Sequence, residues 1–203
     1  MTLSASAGEP CERLAWDSKF FGFGVARVRA QTLTPSLLKK IDAWCVRHRI
    51  RCLYFLGKNR ESRADQTPSL LAKAGFRCVD ARMTLERAAS TPSKASSSLP
   101  KKSPPVSIRP ATSKDLPALR SIAAAVHTDT RFFTDRGFPV ARSRELYRIW
   151  ITRSLRGQAQ KVWVAASHRN VAVGYITCEV SPIGQIGKRG QIGLVGVRQD
   201  FRG

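Results

Sequence analysis

Acidic residues are scarce in this 203-residue chain, 14 Asp and Glu against 35 Lys and Arg, which leaves a formal net charge of +21. Such an excess draws anions of many kinds, so it fixes the sign of a partner and not its identity. Cysteines are few, odd in number and widely spaced: Cys11, Cys45, Cys52, Cys78 and Cys178. None forms a Cys-x-x-Cys pair, and His48, His127 and His168 are not grouped with them. A metal site and a disulfide framework are therefore not expected, and a reducing cytoplasm is the default compartment. No apolar run reaches about 18 residues, so no membrane span is read. Residues 1–10 lack a positive end and an apolar core, so no signal peptide is read. What is present is 42% hydrophobic content, enough for one large domain or two small ones.

Residues 1–87 read as a small α/β domain. Asp17 and Ser18 can close a turn by bonding their own backbone, after which Phe20 and Phe21 enter a core. Residues 24–30 alternate like a strand. A helix is expected over 34–49, capped by Thr34, opened by Pro35, and apolar along Leu37, Leu38, Ile41, Trp44 and Cys45. Strand 51–56, helix 69–74 ended by Gly75, and strand 76–86 complete the unit. Residues 88–105 are rich in Ser and Pro with almost nothing to bury, the composition of an extended tether.

A second domain is expected over 106–203. Residues 106–111 read as a strand, and Thr112 with Asp115 three residues later resembles a capping box opening a helix over 116–126. A polar and aromatic loop, 127–139, leads to a helix over 141–156 carrying Leu146, Tyr147, Trp150, Ile151 and Leu155. Strand 161–166, a turn at His168, Arg169 and Asn170, and strand 171–181 form a hairpin. A glycine-rich turn over 182–190 precedes a final apolar strand, which runs into a basic turn at Arg202 and Gly203. Such a turn can aim backbone N–H groups at a phosphate.

Three stretches resemble the GNAT superfamily of N-acetyltransferases: the opening from Ile108 through Arg109, Pro110, Ala111 and Thr112 to Asp115, Leu116, Pro117 and Leu119; the hairpin with Val162-Trp163-Val164-Ala165 and Val173-Gly174-Tyr175-Ile176; and the last strand with Arg202 at the lead of an Arg/Gln-x-x-Gly-x-Gly/Ala loop. Trp16-Asp17-Ser18, Phe20-Phe21-Gly22 and the Thr130-Arg131-Phe132, Asp135 loop add a resemblance to two-domain acetyltransferases of TDP-fucosamine type. The resemblance implies a mixed, mainly antiparallel sheet flanked by helices, and acetyl-CoA as co-substrate. It implies cofactor contacts from Leu194, Val195, Val197, Arg202 and Gly203, and acceptor contacts from Arg131, Phe132 and Asp135. The acceptor implied is the amine of a nucleotide-linked amino sugar, in surface polysaccharide biosynthesis; a protein or small-molecule amine is the alternative. Because the chain stops inside the phosphate motif, it is expected to be truncated, C-terminally incomplete, of low stability and inactive, with the tyrosine acid of the family beyond Gly203.

Some readings stay open. Arg131 can pair with a substrate phosphate or with Asp135 inside the loop. His127 is a proton acceptor or an ordinary helix-end histidine. Glu179 is a base acting through water or a solvent-facing strand residue. A binding module for polyanions, without catalysis, remains the contrasting class; the chain has no helix-turn-helix pattern and no RNA-binding aromatic signature, so nucleic acid is not the expected partner. A homodimer is left open.

Overall fold

A computed structural model describes residues 8–57, 67–81, 84–86, 106–183 and 187–202. The tether expected over 88–105 lies outside the described residues, as does Gly203. The chain divides into two compact units, 1–79 and 80–203.

The first unit is a three-stranded sheet of order β1-β2-β3: β1 (Cys11–Arg13), β2 (Gly24–Val28) and β3 (Ile50–Tyr54). Strand β1 runs antiparallel to β2, and β2 runs parallel to β3. The parallel pair needs a crossover, supplied by α2 (Pro35–Arg47). Thr34 caps that helix, its hydroxyl accepting the Leu37 N–H at 3.2 Å. Its buried stripe, Ile41 and Trp44, packs with Cys11, Ala26, Val28 and Leu33 as the core. A third helix, α3 (Thr67–Lys73), ends where Gly75 adopts a left-handed φ of 77°.

Two expectations for this unit fail. The turn expected around Asp17 is instead helix α1 (Ala15–Phe21), because Ser18 bonds far along the chain. Its hydroxyl accepts the Val25 N–H at 2.9 Å and donates to the Val25 carbonyl at 3.2 Å, pinning α1 to β2. The strand expected over 76–86 does not form among its described residues; β1, unread in the sequence, fills the third place in the sheet.

The second unit is a four-stranded antiparallel sheet of order β4-β5-β6-β7, with helices, so the protein as a whole is mixed α/β. The strands are β4 (Ser107–Pro110), β5 (Lys161–Ala166), β6 (Ala172–Ile183) and β7 (Gly187–Val197). The glycine-rich turn expected over 182–190 is narrower, since β6 runs on to Ile183 and β7 already begins at Gly187. Helix α4 (Leu116–Val126) matches its expected bounds. Ahead of it the Asp115 carboxylate accepts the Thr112 N–H at 2.8 Å and the Thr112 hydroxyl at 3.0 Å. The Arg109 guanidinium donates to both Asp115 oxygens at 2.8 Å, tying β4 to the start of α4. Inside the expected loop lies a single helical turn, α5 (Arg131–Thr134). Helix α6 (Val140–Arg153) packs on α4 and opens into a wide turn that closes at Gly157, φ 103°.

Alternation along each strand gives this sheet two unlike faces. Val162, Val164, Val173, Tyr175 and Thr177 are buried on the face that α4 covers. The opposite face carries Ile108, Trp163, Ile192 and Val195, which are 66%, 37%, 60% and 56% exposed. That face is apolar and open. No described helix is long and apolar enough to cross a membrane.

Candidate functional site

Strand β7 stands at one margin of the four-stranded sheet, and among the described residues no strand pairs with its outer side. Its inner pairing slips once. Ile176 faces Val195 and Cys178 faces Ile192, so Gly193 and Leu194 together oppose Thr177: a β-bulge. The Leu194 N–H, turned out of the ladder, is taken up by the Thr177 hydroxyl at 2.7 Å. Gly193 fits there because a Cβ would stand 2.8 Å from that same oxygen.

Beyond the bulge the hydrogen-bond phase decides which groups face outward. Arg198 N–H donates to the Val173 carbonyl at 2.8 Å, and Tyr175 faces Gly196 two steps along. Antiparallel pairs alternate between bonded and non-bonded, so Val195 and Val197 turn their N–H and C=O groups away from β6. The outward Val197 carbonyl already accepts from Arg202 Nε at 3.0 Å, so Arg202 lies on the strand's own side of the space it borders.

These groups border an open cleft of about 500 Å³ lined by Val126, Val195, Gly196, Val197, Phe201 and Arg202. Gly196 is its floor. A Cβ there would stand 2.8 Å from Val126 Cγ2 and 2.9 Å from Tyr175 Cε1, so only glycine lets α4 and β6 approach this closely. A smaller pocket of about 240 Å³ adjoins it, sharing Val126 and Arg202 and adding the hydroxyls of Ser121 and Thr128. Arg198, also in its wall, is engaged by Asp200 through bonds of 2.6 and 2.8 Å. Arg202 is thus the cation common to both spaces.

Behind the cleft lies a titratable pair that the chain brings together across 48 residues. His127 Nε2 and the Tyr175 hydroxyl are 2.8 Å apart. The imidazole stacks on Tyr147 with centroids 4.4 Å apart, and the Tyr147 hydroxyl donates to Thr130 Oγ1 at 2.9 Å. Burial lowers the His127 pKa, Arg202 lowers it further, and Asp129 opposes them. Burial raises the Tyr175 phenol well above its usual range.

Of the expected cofactor contacts, Val195, Val197 and Arg202 line the larger space, Leu194 belongs to the bulge beside it, and Gly203 lies outside the described residues. The acceptor-side expectations separate. Phe132 is 3% exposed and packed edge-on against Phe138 and Trp150, as a core residue is. Arg131 lies over the Phe132 ring at 4.5 Å, and Asp135 accepts the Gly137 N–H at 3.0 Å. Glu179 is exposed on β6; neither it nor His127 lines either space, but His127 lies between Val126 and Thr128, which do. The His127–Tyr175 partnership left no local signal, because it joins the end of a helix to the middle of a distant strand. Among the described residues no group of three or more His, Cys, Asp or Glu could hold a metal.

No family model matches this chain, and no curated protein does. Among solved structures it is similar to one described as histone acetyltransferase HPA2 and related acetyltransferase from Corynebacterium glutamicum, at 16% identity and TM-score 0.37. It is also similar to one described as a transcriptional regulator from Bacillus halodurans, at 21% identity and TM-score 0.33. Each likeness covers 48% of this chain and 63% of the other. This chain therefore spans less than two thirds of the length of those relatives.

Proposed function

We propose that this chain is an acetyl-CoA-dependent N-acetyltransferase of GNAT type. The observation that carries the reading is the bulged marginal strand. Val195 and Val197 present main-chain groups along an open cleft that Arg202, bonded through Nε to the Val197 carbonyl, also lines. A donor with amide groups in an extended arm and phosphates at one end suits such a wall: the amides pair with the strand, and Arg202 takes a phosphate oxygen. When bound, acetyl-CoA supplies an activated acyl carbon. The chain's part is to hold the thioester carbonyl near outward N–H groups, which stabilise charge as it develops on oxygen. The missing Cβ of Gly196 deepens the cleft between them.

The acceptor we infer is the amine of a nucleotide-linked amino sugar. Arg131 and Asp135, on and after α5, are the proposed acceptor contacts, with Phe132 supporting the Arg131 guanidinium from below. Among the described residues of 106–202, 16 Lys and Arg against 6 Asp and Glu, a difference of +10, suit a phosphate-bearing acceptor.

Isothermal titration with acetyl-CoA, followed by radiolabelled acetyl transfer to a panel of amines including a dTDP-linked amino sugar, tests the reading. Arg202→Gln is expected to weaken acetyl-CoA binding by about tenfold, the cost of about one charge-assisted hydrogen bond. Salt-sensitive DNA binding by the wild-type chain with no acetyl-CoA binding would overturn the proposal in favour of a polyanion module.

A further inference from the structure

An amine is a nucleophile only after its ammonium form has lost a proton, and the described residues lining the cleft include no carboxylate or imidazole to take it. We propose that His127, held in place by Tyr175, accepts that proton. The inference rests on the transferase reading and stands on geometry.

His127 follows the last residue of α4, and its sequence neighbours Val126 and Thr128 both line the paired spaces. The imidazole is fixed from two directions. Tyr147 stacks on its face at 4.4 Å, and the Tyr175 hydroxyl meets Nε2 at 2.8 Å. Tyr175 is itself 3% exposed and lies under Gly196, the floor of the cleft, so the pair cannot drift without disturbing that floor. A half-buried histidine held this way beside a cleft is costly to order, and surface packing alone does not require the phenol bond.

The charged and titratable groups around it come from four elements. Asp129 is on the following loop, Arg202 on the turn after β7, Tyr147 on α6 and Tyr175 on β6; Arg131 and Asp80 in turn act on Tyr147. Burial, opposed by Asp129 and aided by Arg202, lowers the imidazole pKa and so favours the neutral ring, the state from which a base must start.

In the tautomer that donates Nε2–H to the Tyr175 oxygen, Nδ1 carries a lone pair and takes one proton from R–NH₃⁺, giving R–NH₂ and an imidazolium. The amine lone pair then forms the N–C bond to the thioester carbonyl and the C–S bond breaks. The thiolate leaves with the electron pair, and the proton shed by the new amide nitrogen neutralises it. The imidazolium returns its own proton to solvent.

The test uses two acceptors that differ in their need for a base. Acetyl transfer from acetyl-CoA to glucosamine and to methoxyamine is compared in the wild-type chain, His127→Gln and Tyr175→Phe. Methoxyamine is already unprotonated at neutral pH. At pH 6, where glucosamine is almost wholly the ammonium form, His127→Gln is expected to lose about tenfold or more in kcat/KM with glucosamine and no more than about twofold with methoxyamine. Tyr175→Phe, which keeps the ring packing, is expected to fall between wild type and His127→Gln. In parallel, the pH titration of the His127 Cε1–H resonance is expected to have a lower midpoint in Tyr175→Phe, because the imidazolium loses the oxygen that accepts its Nε2–H. Equal losses with both amines, or an unmoved midpoint, overturn the proposal alone. A wild-type chain that does not bind acetyl-CoA overturns the transferase reading and this inference with it.

Discussion

Replacing Gly196 with alanine probes the contact on which the cleft depends. The added Cβ would lie 2.8 Å from Val126 Cγ2 and 2.9 Å from Tyr175 Cε1. Carbon atoms pack at about 3.5–4.0 Å, so the contact with Val126 must open by at least about 0.7 Å and that with Tyr175 by at least about 0.6 Å. Neither moves cheaply. Tyr175 is 3% exposed with its hydroxyl engaged by His127, and Val126 is the end of a helix packed on α6. Overpacking of this kind costs about 1–3 kcal/mol, while alanine returns about 0.5–1 kcal/mol by restricting the unfolded chain. The net expectation is a loss of about 1 kcal/mol, or about 3–6 °C in melting temperature for the unit 80–203. Gly190 is the internal control, on the same strand, where an added Cβ would meet nothing within 4 Å. Circular dichroism melts of Gly196→Ala and Gly190→Ala are compared with wild type. Equal melting temperatures for the two variants would refute the packing argument.

Two further outcomes follow from titrating groups. The Asp115 carboxyl is held down to about 2, from 3.8, first by the Arg109 guanidinium and then by Thr112, against burial that pushes it up. Its folded value is the lower one, so the contribution is full above about pH 4 and fades as pH falls toward 2. Asp115→Asn should therefore cost about 2 kcal/mol in urea unfolding near pH 7 and progressively less in acid; a cost that does not shrink in acid would count against the pairing. In the first unit burial pushes the Cys11 thiol up to about 12 and also raises Cys45. Iodoacetamide near pH 8 should modify exposed Cys78 well before Cys11, which peptide mass spectrometry reads directly; comparable rates would refute the burial of Cys11.

Patterns contained within one element were legible in the sequence. Thr34 with Pro35, the apolar stripe through Ile41 and Trp44, and Thr112 with Asp115 each act over one or two helical turns, and each forms as expected. The β5–β6 turn at Asn170, φ 57°, is local in the same way. What failed to show was set by distant partners. Ser18 looked like a turn residue until Val25 claimed it, and three residues of β1 carry too little pattern to be read beside Pro10. Phe132 sits in a polar stretch, yet Phe138 and Trp150 draw it into the core. The bulge depends on Thr177, 16 and 17 residues before the two positions it faces, and the His127–Tyr175 bond spans 48 residues. Periodicity carries no trace of such pairings.

The margins of the four-stranded sheet are guarded while its bare flank is not. On one side Pro110 has no N–H to offer; on the other, Lys188, Arg189 and the kink at Gly193 and Leu194 interrupt a straight run of donors and acceptors. Clumping of concentrated protein would then proceed flank to flank through Ile108, Trp163, Ile192 and Val195, as amorphous precipitate that binds little thioflavin T, and not as fibres growing strand by strand.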